Sequence, residues 1–60
     1  MSPNSPVKLL VIDDDAHLRE SLAEVLELDG FECLQAGAAA EGIATAKKHN
    51  PQVVIMDIQL

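Results

Sequence analysis

The chain has 60 residues, with four Lys and Arg against ten Asp and Glu and a formal net charge of -6. Phosphate backbones are gripped by clustered basic side chains, so this balance excludes nucleic-acid binding by the segment. A single cysteine excludes an intramolecular disulfide, and no apolar run approaches the ~20 residues that span a bilayer.

Residues 1–6, Met1-Ser2-Pro3-Asn4-Ser5-Pro6, carry neither the charge nor the hydrophobic centre of a signal peptide and read as a flexible leader. A cytoplasmic location is expected. Residues 7–12 form an apolar stretch without alternation, the pattern of a strand covered on both faces. At residues 16–28 the period changes. Leu18, Leu22, Val25 and Leu26 recur at helical spacing while Arg19, Glu20, Glu24 and Glu27 fill the other side, which predicts an amphipathic helix with one face for a sheet. Asp14 or Asp15 can cap its start and Gly30 its end. Phe31 to Ala36 is a second strand. Ala38 to His49 is a second helix with weak N-capping, closed by Lys47, Lys48 and His49 and by Asn50-Pro51 beyond. Residues 52–57 are a third strand, the most apolar one at its centre, Val53-Val54-Ile55-Met56.

The order β-α-β-α-β predicts an α/β fold with a parallel sheet and right-handed crossovers. Strands 1 and 3 read as covered on two faces, whereas Phe31-Glu32-Cys33-Leu34-Gln35 mixes in polar residues as an edge strand does. The expected strand order is therefore 2-1-3, with the chain reversing direction and the helices on opposite faces. Adjacent strands lie roughly 4.8 Å apart, so Asp13, Asp14 and Asp57 should converge at the carboxyl ends of strands 1 and 3, where open α/β sheets bind ligands. Three such carboxylates repel one another, and a hard divalent cation, above all Mg²⁺ held by a few carboxylates and several waters, relieves the repulsion. One carboxylate can then act as a nucleophile toward a phosphoryl group.

The pieces Leu9-Leu10-Val11-Ile12-Asp13-Asp14-Asp15, Leu28-Asp29-Gly30-Phe31, Ala36, Ala40-Glu41-Gly42 and Asn50-Pro51-Gln52-Val53-Val54-Ile55-Met56-Asp57-Ile58-Gln59-Leu60, in this order and spacing, resemble the receiver domain of two-component response regulators. The resemblance implies a flavodoxin-like, doubly wound parallel sheet, and a phosphoacceptor that takes its phosphoryl group from a histidine kinase or a phosphotransfer protein. It does so without being an enzyme, beyond self-catalysed phosphorylation and dephosphorylation. Asp57 would be the phosphoacceptor. Asp13, Asp14 and Asp57 would hold Mg²⁺, and the backbone carbonyl of Gln59 would complete the metal shell. Asp15 would fall outside the pair and serve as a helix cap.

The family fold has strand order 2-1-3-4-5, and residues 7–60 match its N-terminal half, β1-α1-β2-α2-β3. The later strands, with their Ser or Thr and their phosphate-binding Lys, have no counterpart. Lys8, Lys47 and Lys48 stand away from the acidic end and cannot replace that Lys. A chain this short buries only about 60% of its unfolded surface, and the open edge of strand 3 invites pairing with another chain. Self-association through that edge is expected.

Two other readings compete. A haloacid-dehalogenase-like phosphatase also carries an Asp-x-Asp pair after its first strand, with Asp13 as nucleophile and Asp15 as general acid. His17 breaks that pattern and Asp57 is left without a role. The other reading is a receiver-like interaction module that takes no phosphate, against which Asp13, Asp14 and Asp57 all stand. Taken singly, an acidic run favours a helix N-terminus and an Asp after a strand starts a turn; their pairing carries the functional reading. Cys33 reads as a small semi-buried hydrophobe, His17 as a solvent-facing residue and His49 as a partner of the helix dipole.

Overall fold

The computed structural model describes residues 6–57, so most of the expected leader lies outside the described residues. Its elements are β1 (Lys8–Asp13), α1 (Ala16–Leu28), β2 (Glu32–Ala36), α2 (Ala39–His49) and β3 (Val53–Asp57). All pairings are parallel and the strand order is β2-β1-β3, the expected reversal. The fold is thus a doubly wound α/β unit with the order 2-1-3.

Because β1 is central, Leu9, Leu10, Val11 and Ile12 are all buried, as a strand with a helix on each face requires. Leu10, Ile12 and Ala36 form the core toward α2, with Leu34 and Ala46 packed against them. Gly42 lies so close to Ile12 that a Cβ there would overlap its Cδ1 and Cγ1. On the other face, Arg19 of α1 donates to the side chain of Gln35. Gln35 is the register partner of Val11, and Ala36 of Ile12. Neighbouring strand residues point to opposite faces, so the two helices cover opposite sides of the sheet.

The local chemistry explains where each helix begins and ends. Asp15 is the N-cap of α1, its Oδ1 accepting from the backbone N–H of His17 at 3.0 Å and of Leu18 at 3.2 Å. Past the C-cap, Gly30 takes φ 99°, and the N–H groups of Gly30 and Phe31 donate back to Glu27 and Leu26. That pair of bonds is a Schellman motif, which needs a residue tolerant of the left-handed region. Helix α2 is flanked by Ala38, an N-cap that makes no side-chain bond, and by Asn50, a C-cap in the left-handed region after a last turn holding Lys47, Lys48 and His49.

Two expectations are corrected. The face that α1 turns to the sheet is centred on Arg19, Ala23 and Leu26, one residue later than expected: Ala23 is buried and Arg19 and Leu26 are half-buried, while Leu18, Leu22 and Val25 are exposed. Strand β3, read as covered on two faces, leaves Val53, Val54 and Met56 exposed. The reason is common to both. Both helices pack across β1 and β2 and neither reaches β3, so the flank of α1 that overhangs that side has nothing to cover it.

Candidate functional site

At the carboxyl edge of the sheet, Asp13 and Asp57 are register partners on the adjacent strands β1 and β3. Residues paired in this way project to the same face, so the topology alone brings two carboxylates together from distant parts of the chain. With Asp14, Asp15, Ala16 and Leu18 they line an open cleft of about 510 Å³.

Each acid has its own environment. Asp13 is buried, at 8% exposure, whereas Asp14, Asp15 and Asp57 are exposed. The Asp13 Oδ1 accepts the backbone N–H of Asp15 at 2.9 Å, which turns the β1–α1 connection and holds the carboxylate at the sheet end. Asp15 points its own oxygen into the first turn of α1 and is the cap that the sequence reading allowed. A carboxylate bound to two helix N–H groups is poorly placed to act as the general acid of a phosphatase.

The acids meet on one cleft, but among the described residues no three His, Cys, Asp or Glu side chains are arranged to hold a metal ion between them. The strand register sets Asp13 beside Asp57, and Asp14 lines the same cleft. Asp13 is held by the Asp15 amide and Asp14 lies exposed on the loop. The donor set still suits a hard divalent cation. Carboxylate oxygens at an open, wet edge match Mg²⁺, a hard cation that keeps several waters beside a few protein oxygens. Gln59, expected to add a backbone carbonyl, lies outside the described residues.

Sequence reasoning missed one residue at this edge. Arg19, assigned to the polar side of α1, sends its guanidinium over the ends of β1 and β2: Nη1 donates to the Asp13 carbonyl at 2.9 Å and Nε to Gln35 Oε1 at 3.2 Å. The available signal was Gly37, whose lack of a side chain leaves room for that guanidinium. His17 is exposed and His49 half-buried in the last turn of α2. Cys33 is a half-buried free thiol on β2. Burial first, and the Glu27 carboxylate second, push it above the ordinary thiol value. No helix among the described residues is long and apolar enough to cross a membrane.

Residues 9–60 match the response regulator receiver domain family. Among individual proteins, the chain is 38% identical over 56 residues to the transcriptional regulatory protein PdtaR of Mycobacterium tuberculosis, covering 92% of this chain and 27% of that protein. It is 35% identical over 52 residues to the phosphate regulon transcriptional regulatory protein PhoB of Pseudomonas aeruginosa, covering 87% and 23%. It is 38% identical over 56 residues to a protein-glutamate methylesterase/protein-glutamine glutaminase of Oleidesulfovibrio alaskensis, covering 90% and 15%. The chain therefore spans about a quarter or less of the curated relatives it matches.

Proposed function

Because this chain belongs to the response regulator receiver domain family of two-component systems, we propose that it is a phosphoacceptor, taking a phosphoryl group onto Asp57 from a histidine kinase or a phosphotransfer protein. The observation that carries this reading is the register pairing of Asp57 with Asp13 at the rim of an open acidic cleft. An exposed carboxylate at a strand end can be reached by a bulky donor. A buried partner beside it supplies a fixed second charge.

In the step proposed, an oxygen of the Asp57 carboxylate attacks phosphorus as the P–N bond of a phosphohistidine breaks; the imidazole leaves with the bonding pair and takes up a proton. Asp13, Asp14 and Asp57 would hold Mg²⁺, with the Gln59 backbone carbonyl. When bound, Mg²⁺ supplies neutralisation of the phosphoryl oxygens. The chain acts here as a substrate of phosphotransfer and not as an enzyme in its own right, in the cytoplasm, and passes the change on to an output region. The relatives are named as transcriptional regulators and as a methylesterase/glutaminase, so what they share with this chain is the receiver segment and not one output. For the 60-residue chain alone, the open β3 edge is proposed as a self-association surface.

The test is chemical. With Mg²⁺ and a small phospho-donor or beryllofluoride, the intact regulator should carry its adduct on Asp57, mapped by mass spectrometry, and Asp57→Asn should abolish it. An adduct on Asp13 would overturn the assignment in favour of the phosphatase arrangement.

A further inference from the structure

Strand β1 runs one residue past its neighbour on the β2 side. The β1–β2 register ends at Ile12 and Ala36, and Asp13 is paired only with Asp57. Its carbonyl is therefore at a point where the sheet offers no β2 partner, and a carbonyl withdrawn from water without a donor is costly. Arg19 fills that place. Its Nη1 donates to the Asp13 carbonyl at 2.9 Å and its Nε to Gln35 Oε1 at 3.2 Å, so one rigid guanidinium joins the last residue of β1 to the end of β2. Gly37 permits the approach: a Cβ there would lie 3.2 Å from Nη1.

Both acceptors of the guanidinium are neutral oxygens, a carbonyl and an amide. Arg19 thus braces the acidic edge from behind and leaves its carboxylates to other partners. With the Asp15 amide on Oδ1, Asp13 is held at two atoms, one on the main chain and one on the side chain. We propose that Arg19 is a positioning residue which, through the Asp13 carbonyl, fixes the direction of the Asp13 and Asp14 carboxylates and thereby sets the cation affinity of the cleft. The proposal rests on the Mg²⁺ reading given above.

Charge and position oppose each other here, and the sign of the effect separates them. Removing a cation from the edge of an acidic cleft favours Mg²⁺ electrostatically, whereas losing the brace disfavours it. Partners that orient metal ligands change affinity by about 10–100-fold when removed. Mg²⁺ titration of the intact regulator should therefore show Arg19→Gln binding about tenfold more weakly than wild type. Arg19→Lys keeps the charge but lacks the planar fork that serves two divergent acceptors, so it should weaken binding nearly as much. Gly37→Ala keeps Arg19 whole and crowds it, and should act in the same direction to a smaller extent.

Amide hydrogen exchange without metal supplies the second reading. The Asp15 N–H, bonded to Asp13 Oδ1, should exchange faster in Arg19→Gln, while the central amides of Leu10 and Val11 keep their wild-type protection. Unchanged or tighter Mg²⁺ binding in Arg19→Gln, or an Asp15 amide that keeps its protection, would overturn the proposal, as would a uniform loss of protection across β1. Asp13→Asn is the control for the underlying site: if it leaves Mg²⁺ binding intact, the metal reading falls, and the Asp15 amide still reports whether Arg19 holds Asp13 in place.

Discussion

Asp13, Asp14 and Asp15 are adjacent and chemically identical, yet the backbone gives each a different task. Asp13 ends the strand and is buried, Asp14 lies exposed on the connection, and Asp15 closes the first turn of α1 with two hydrogen bonds. Substituting Asp15 by Ala should cost about 1 kcal/mol of stability, the usual value of an N-cap, visible as a lower midpoint in thermal denaturation. Mg²⁺ titration of the same variant should stay close to wild type, whereas Asp13→Asn and Asp14→Asn should weaken binding. If Asp15→Asn, which keeps the cap, weakens Mg²⁺ binding most, the division of roles described here is wrong. The sequence made the acids legible because their residue type and their position after apolar runs are local facts. Helical periodicity left open whether Asp14 or Asp15 caps the helix, and the family resemblance chose Asp15, as observed. Arg19 stayed hidden, because its main partner is a backbone carbonyl, and main-chain acceptors leave no trace in residue identity.

At the scale of elements, the strand order was legible from which strands looked apolar and from the handedness of crossovers, and the helix ends from Gly30, Asn50 and Pro51. The facing of α1 was not. One residue along a helix is a turn of about 100°, and a stripe read from Leu18, Leu22, Val25 and Leu26 overlaps the true one only at Leu26. Large apolar side chains marked the α1 flank, while the contact itself is made by a small residue, Ala23. Helix α2 gives a similar lesson through Gly42, whose missing side chain lets the helix backbone approach Ile12. Glycine inside a helix costs about 1 kcal/mol relative to alanine, so Gly42→Ala would stabilise a helix in isolation. Forcing a methyl into this packed contact costs about 1–3 kcal/mol. The net expectation is a loss of about 1 kcal/mol, readable in urea denaturation; a stabilised variant would show that Ile12 can yield.

For the molecule as a whole, the exposed side is as informative as the buried one. Val53 and Ile55 share a face with Leu9 and Val11, and Val54 and Met56 share the other with Leu10 and Ile12. Val53, Val54 and Met56 are 42%, 47% and 55% exposed, and the strand also offers an unpaired ladder of backbone groups, a template for another strand. For the 60-residue chain alone we expect a two-fold dimer through β3, in which an axis perpendicular to the strands makes the pairing antiparallel and sets the two Asp57 residues apart. The net charge of -6 opposes association, so the dimer should strengthen as salt screens that repulsion. Sedimentation at micromolar concentration tests this. A compact monomer with native-like circular dichroism would sink the idea. The sequence read β3 as a buried strand from its apolar run, and such a run reports what a strand is suited to, without saying which chain supplies the cover.

The pairing of Asp13 with Asp57 also has a bearing on time. The two positions are far apart in sequence, and β1 meets β3 only after α1, β2 and α2 have been threaded between them. Contacts so distant in sequence carry the largest loop-closure entropy and form slowly. The helices and the β1–β2 pair can therefore arise while the acidic edge is still in two pieces. A nascent or partly folded chain would be helical and yet blind to any ligand of that edge, and competence would arrive only with the docking of β3.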